Sequence, residues 1–385
     1  MILEFDQEIQ GRAYPNLARH QAVPYTPEWR QFSQHWPFSE PVMLADYCDE
    51  HSIDWRSQGP RYYVIAVSFF DFNIKWFDIM PQHRLAQLRN GELGLLFFYS
   101  EGDNPAVMRA HLEAQCVANH VPVTALWIVS ANSAADALPQ SMWFADDELL
   151  FRKRNHKVPA VEYHEQVRSK KFTALVRTHK WWRATTMTEF WRRAWHEQGY
   201  FSYNPAVAVG EPEEENPIEV DRYAGLRDST YEFLRLQFMA DSLTSDQHND
   251  HHLSVPEHYS NAYLNVVIET HMDVDQSGGV FLTEKTFKPI KNCQPFVIFG
   301  AAHSVARLRD LGYRTFDHVI DHSYDHVENT TDRWQRIFEV LTDLFAGDMH
   351  KMYCACQEDL VYNQQHFLGH KQDRLNTLLG KLKCK

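Results

Sequence analysis

Hydrophobic residues along this chain come in short continuous runs rather than in long alternating stretches. YYVIAVSFF (62–70), LGLLFFYSEGD (93–103), VTALWIVSAN (123–132), FTALV (172–176), AYLNVVIE (262–269) and PFVIFG (295–300) are all rich in β-branched and aromatic residues. Strands that read as apolar throughout, not apolar on one face only, belong to parallel sheets buried on both sides. Between them, HRLAQLRNG, AVMRAHLEAQCVANH and the stretch that follows RTHKWWR have helical spacing. Residues 228–245, the TTDRWQRIFEVL segment and the tail from His350 to Lys385 read as helices too. Alternation of such strands and helices predicts an α/β protein built of Rossmann-like units. Residues 1–60 are rich in Pro, Trp, His and Gln without a sustained period, which predicts irregular structure with short helices.

Length divides this pattern in two. A chain of 385 residues exceeds one typical core, and composition turns strongly charged over residues 146–170. The expected organisation is an N-terminal Rossmann-like domain over residues 1–165 and a C-terminal one over 166–385, the latter with a helical tail. That tail is amphipathic, so it either packs back on the domains or docks on a partner or membrane surface.

Charge and cysteine usage narrow the partners. A net charge of -13 disfavours a protein whose main affinity comes from a nucleic-acid backbone, so duplex binding is not expected, although a local basic pocket for one nucleotide is compatible. Six cysteines without paired CxxC motifs read as reduced thiols of a cytoplasmic protein. Acids in MILEFDQEIQ argue against a signal peptide, and no apolar run reaches the ~18 residues of a membrane span. The His-rich stretch DQHNDHHLSVPEH matches no zinc-ligand spacing and reads as a polar loop, so no metal site is expected. Aromatics at 14% fill cores or form platforms for sugar and base rings.

Candidate chemistry lies at the strand ends, which in a parallel sheet line one rim. The first-domain strands end in Asp71 and Asn73, in Ser100, Glu101 and Asp103, and in Ser130 and Asn132. Asp103 or Asn104 is also suited to cap the next helix, with Pro105 at its first position. Glu101 is not needed for that cap, which makes it the first choice for a general base, ahead of Asp103 and Asp71. In the second domain Arg177, His179, Lys180 and Arg183 follow the FTALV strand at a helix start, where backbone N–H groups favour an anion such as a diphosphate. Solvated surface charge is the plainer explanation of the same residues. Downstream, Glu269 closes a strand and Thr283-Glu284-Lys285 opens a helix. A carboxylate there can accept ribose hydroxyls, a lysine can neutralise a diphosphate, and Thr283 can cap the helix. A capped helix start alone also accounts for the tripeptide.

The order VVIET, spacer, FLTEK, helix, PFVIFG resembles the α1,3-fucosyltransferase family, whose pattern is approximately FxFENS, spacer, DYxTEK, helix, VPVxxG. The likeness continues into FDHVIDHSYDHVENTTDRWQRIFEVL, similar to that family's Ile-Asp strand, aromatic and closing helix, and covers roughly residues 260–345. The resemblance implies a GT-B fold, two Rossmann-like domains facing across a cleft with the sugar nucleotide held by the C-terminal one. It places Glu269, Phe281, Thr283, Glu284 and Lys285 at donor-contacting positions and assigns the diphosphate to Arg177 or Arg183. Thr270-His271 replaces the Asn-Ser of the family pattern and Val280 its aspartate, so the implied activity is nucleotide-sugar transfer in general, a GDP-sugar being the family's instance. The expected reaction is inverting, metal-independent transfer of a sugar to a hydroxyl of a glycan or other acceptor. Competing readings are transfer to modified DNA bases and a catalytically inactive nucleotide-binding scaffold module.

Overall fold

The computed structural model describes residues 2–5, 52, 54, 59–67, 70, 72–99, 102–145, 158–203, 216–222, 225–236, 238, 254–273, 277–369 and 372–383. It is an α/β protein with two all-parallel sheets, each the core of a Rossmann-like unit. One unit comprises Met1–Asp146, Asp275–Phe281 and Lys371–Lys385, and the other Asp147–Val274 and Leu282–His370. The chain therefore leaves the second unit and returns to it just before the Thr283-Glu284-Lys285 tripeptide.

In the first unit the strand order is sequential: β1 (Ile2–Phe5), β2 (Arg61–Val67), β3 (Gly94–Tyr99), β4 (Leu126–Ser130) and β5 (Ser141–Trp143). Helices α1 (Gln82–Arg89) and α2 (Pro105–Ala118) cover one face. Tyr63 and Ile65, Leu95, Phe97 and Tyr99, and Leu126 and Ile128 point to that face and pack with Leu85, Leu88, Met108, Leu112 and Cys116. This is the period of two expected of strands. Their neighbours Tyr62, Val64, Leu96, Phe98 and Val129 are buried as well, which explains why the strands read as unbroken apolar runs. The cap of α2 is Asn104, whose side chain accepts from Ala106 N at 3.0 Å, with Pro105 in the first turn.

The second unit has the order β7 (Gly199–Tyr203), β6 (Lys170–Val176), β8 (Ala262–Ile268), β9 (Phe296–Phe299). The helices that matter here are α3 (Trp181–Arg192), α4 (Leu226–Phe233), α5 (Glu284–Lys291), α6 (Ser304–Asp310), α7 (Thr330–Ala346) and α8 (Gln357–Leu368). An aromatic cluster joins sheet to helices, with ring centroids of 5.3 Å for Phe172–Phe190, 5.4 Å for Phe190–Phe338 and 5.2 Å for both Phe172–Phe345 and Phe299–Phe338. In this cluster the high aromatic content is core filling, worth about 0.5–1.5 kcal/mol per well-oriented pair beyond area burial.

Several expectations are corrected. Ile2–Phe5 is a strand paired in parallel with β2, not irregular chain. GYFSY (199–203) is an edge strand, not a continuation of α3. The Phe316–Asp321 stretch forms turns instead of an Ile-Asp strand, followed by a 3-10 turn over Ser323–His326. Asp325 of that turn accepts from Val305 N and Ala306 N at 2.8 Å each and so caps α6. The tail forms α9 (Gln372–Lys383), which belongs to the first unit. Leu378, Leu379 and Leu382 are buried, and the Leu382 carbonyl accepts from the Tyr62 hydroxyl at 2.7 Å. The apolar face of the tail is thereby covered by its own chain. No helix among the described residues is long and apolar enough to cross a membrane.

Candidate functional site

Parallel strands bring the carboxyl ends of β6, β8 and β9 to one edge of the second sheet, and the residues singled out in the sequence gather there. Glu269, directly after β8, is 1% exposed. Its Oε1 accepts from Thr283 N at 3.1 Å and Thr286 Oγ at 2.5 Å, and its Oε2 from Thr283 Oγ at 2.6 Å and Thr270 N at 3.2 Å. Four donors of the chain thus occupy the carboxylate. Its role in the structure is to weld the end of β8 to the start of α5, and a ribose would have to displace one of these partners to reach it.

Thr283 completes the joint. While donating to Glu269 it accepts from Lys285 N at 3.3 Å, the N-cap geometry for α5, and from Lys285 Nζ at 3.1 Å. The ammonium of Lys285 also lies 3.1 Å from Glu284 Oε1. Glu284 is buried and Lys285 is partly exposed, so the lysine is the member of the pair that reaches the edge of the unit.

The basic loop after β6 converges on the same place. Arg183, 3% exposed in the first turn of α3, donates from Nε and Nη2 to the Glu269 carbonyl at 3.1 and 2.7 Å, and from Nη1 to the Thr178 carbonyl at 3.2 Å. Lys180 stands at the N-cap position of α3 without a side-chain cap bond. His179 is buried, its Nδ1 2.5 Å from the Tyr203 hydroxyl. Arg177 is partly exposed just past β6.

Two residues that sequence reasoning had not assigned complete the cluster. Arg333, 1% exposed on α7, donates from Nε to the Gly300 carbonyl at 3.0 Å, from Nη1 to those of Val327 and Glu328 at 2.6 and 2.9 Å, and from Nη2 to that of Met272. It ties the end of β9 to the loop that leaves β8. His271, in that loop, is partly buried. Burial first, and then the charges of Lys180, Arg183 and Lys285, push its imidazole down to about 3, so it is neutral at ordinary pH. His271 had been visible in the sequence only as a departure from the family pattern, and Arg333 only as one charge on a helix.

The remaining candidates lie elsewhere. Phe281 is 4% exposed and belongs to the first unit, where its ring sits on Gly102: a methyl group on that glycine would lie 2.3 Å from the ring. The segment carrying it is held by Asn132, which donates to the Gly102 and Ser277 carbonyls at 2.8 and 2.6 Å, and by Ser133, which exchanges bonds with Val280. Asp103 is exposed and accepts from the Tyr99 hydroxyl. Glu101 and Asp71 lie outside the described residues, as does the stretch 246–253 of the His-rich loop. Among the described residues no three His, Cys, Asp or Glu side chains are grouped as a metal site. An open concavity of about 660 Å3 occurs near Asn216–Arg222 and Arg227, and its described lining includes none of the sequence-derived candidates.

Fold and site together define the class as an α/β protein of Rossmann-like units with a cationic cluster at the carboxyl edge of the second sheet. Comparison with protein-family models, with curated proteins and with solved structures finds no match to this chain.

Proposed function

We propose that the protein is a glycosyltransferase whose second unit holds a nucleotide-sugar donor by its diphosphate. The observation that carries this reading is the basic group at the carboxyl edge of the second sheet, where Lys180 and Arg183 stand at the start of α3, whose first turn no side chain caps, and Lys285 stands in the first turn of α5. Ligands of open parallel sheets bind at this edge. A parallel sheet, the start of α3 and side-chain cations form a suitable cradle for a leaving diphosphate, and the likeness to the α1,3-fucosyltransferase pattern includes Lys285 and assigns the diphosphate to Arg177 or Arg183.

In this scheme the acceptor hydroxyl loses its proton to a carboxylate acting as general base, for which Glu101 is the first candidate of the sequence and Asp103 or Asp71 the next. The resulting oxygen attacks the anomeric carbon from the face opposite the departing nucleoside diphosphate, which inverts the centre. Lys285, Arg183 and Lys180 stabilise the charge that accumulates on the diphosphate, a role in which preorganised cations contribute several kcal/mol. Glu269, Thr283 and Arg333 act as positioning residues that hold the loop and helix carrying these charges. Free thiols at Cys116, Cys293, Cys354 and Cys356 suit a reducing compartment such as the cytoplasm.

The test is a thermal-shift screen with GDP, UDP, CMP, TDP and their sugars, followed by donor hydrolysis. A ligand at about a hundredfold excess over its Kd stabilises by about 2.7 kcal/mol, which such a screen resolves. Stabilisation by one nucleoside diphosphate with slow hydrolysis of its sugar is the expected outcome. Binding with no hydrolysis of any sugar would instead identify an inactive nucleotide-binding module, and absence of any shift would sink the reading.

A further inference from the structure

The open concavity beside Arg227 shares no described lining residue with the cationic cluster, and hydrogen bonds fix the backbone that walls it. Segment 216–222 crosses from α3 to α7. Asn216 donates from Nδ2 to Thr185 Oγ at 3.0 Å and accepts from Ile218 N at 3.1 Å. Ile218 is buried, and Glu219 N donates to Thr331 Oγ at 2.9 Å. A 3-10 turn over Val220–Arg222 follows, and Arg222 pairs with Asp332 at 2.5 Å. Glu219 and Asp221 therefore stand exposed on a backbone held at both ends. Unlike that of Glu269, neither carboxylate has a hydrogen-bond or ion-pair partner among the described residues.

Two helices connect the concavity to an aromatic pair. Arg227 lines it from α4, and Tyr231 stands on the next turn of that helix. Thr185, which holds Asn216, belongs to α3, and Trp181 stands on the preceding turn. The Trp181 and Tyr231 rings meet edge to face, their centroids 5.6 Å apart at 71°, and Tyr231 is 40% exposed. The pair thus lies one turn, about 5.4 Å along the axis, from the concavity on both helices.

We propose that the concavity and the aromatic pair together form a binding site for an uncharged oligosaccharide. This goes beyond the nucleotide reading and stands without it. The volume of about 660 Å3 falls within the range of about 300–1,000 Å3 typical of small-molecule sites. Two arginines and two carboxylates leave the described lining without net charge, so it does not select an anion as the group of Lys180, Arg183 and Lys285 does. Carboxylates only accept and guanidinium groups only donate, which is the complement of neighbouring sugar hydroxyls that do both. A ring seated against Glu219 and Asp221 leaves the next ring of the chain to lay its C–H face on Tyr231, whose body is apolar and whose tip is polar.

Saturation-transfer NMR of the full chain with lactose, maltose, cellobiose and N,N'-diacetylchitobiose, each at about 10 mM, provides the test. Transfer to at least one disaccharide is expected. Its Kd should rise about tenfold or more in the E219Q/D221N double variant and in Y231A, and stay near wild type in Y231F. Thermal melts check that each variant is folded, and Y231L serves where Y231A is not. Absence of transfer to all four disaccharides overturns the proposal, as does transfer that either the double variant or Y231A leaves unchanged. Displacement of the disaccharide by GDP or UDP but not by inorganic pyrophosphate would give the concavity to a nucleoside, which overturns this inference while the nucleotide reading stands. A nucleotide screen without any shift, beside disaccharide transfer that these variants abolish, would sink the nucleotide reading alone.

Discussion

Replacing Glu269 probes the joint on which the candidate site is built. In E269A four donors lose their acceptor: the backbone N–H groups of Thr270 and Thr283 and the hydroxyls of Thr283 and Thr286. The hydroxyls can rotate towards other acceptors, but the two amides are fixed by the backbone. A donor left without a partner costs about 1–3 kcal/mol, so the buried Thr283 amide and the part-buried Thr270 amide together amount to about 2–6 kcal/mol, with a central value of about 4. For a unit of roughly 200 residues a loss of 1 kcal/mol lowers Tm by about 2–4 °C, which places the E269A melt about 8–16 °C below wild type. E269Q keeps one oxygen but turns an NH2 group towards either Thr270 N or Thr283 N, and should cost an intermediate amount of about 1–3 kcal/mol. The assay is thermal and urea unfolding, with hydrogen exchange of the 282–290 segment to localise the effect. An E269A melt within about 3 °C of wild type, with unchanged exchange there, would refute the positioning role. Unchanged stability with lost nucleotide affinity would instead return Glu269 to direct ligand contact.

Other perturbations test separate parts of the account. T283V removes both the α5 cap and the hydroxyl bond to Glu269 and should cost about 1–3 kcal/mol in urea unfolding, while T283S should stay near wild type. K285A is expected to lower donor turnover by about a hundredfold or more, and a change within about threefold would exclude a leaving-group contact. N132D puts an oxygen where the buried Asn132 donates to the Gly102 and Ser277 carbonyls, so the first unit should lose about 3 kcal/mol or more, read by its own unfolding transition. The last concerns acid stability: unfolded His271 takes a proton below its ordinary 6.5 and the folded one not until about 3, so its contribution is complete above 6.5 and is lost as pH falls between these values. H271N should therefore flatten the acid side of the stability profile by up to about 1.4 kcal/mol per pH unit. Part of the slope should persist, because burial also holds His164 and His322 below the usual range.

How much of this was legible depended on how local the responsible forces are. Continuous apolar runs exposed β2, β3, β4, β6 and β8, because a central parallel strand must be apolar on both faces, and also β9, an edge strand whose four residues are all buried. The other edge strands β1, β5 and β7 escaped because ILEF, SMW and GYFSY carry too little apolar pattern of their own and gain their identity from a neighbour's hydrogen bonds. The Thr283 cap was legible since it spans two residues. The occupation of Glu269 was not, as its partners Thr283 and Thr286 lie in a different element and the chain visits the other unit in between.

By itself, then, the sequence determined the α/β class, the parallel strands and the clustering of Glu269, Thr283, Glu284 and Lys285 near strand and helix ends, because burial and capping act within a few residues. Only the tertiary structure decided what those groups touch. It turned Glu269 inward onto threonines, sent Phe281 and α9 to the first unit, and set His271 among Lys180, Arg183 and Lys285. Coulomb and hydrogen-bond energies depend on distances of a few ångströms, and residues far apart in the chain acquire such distances only through the packing of the sheet and its helices.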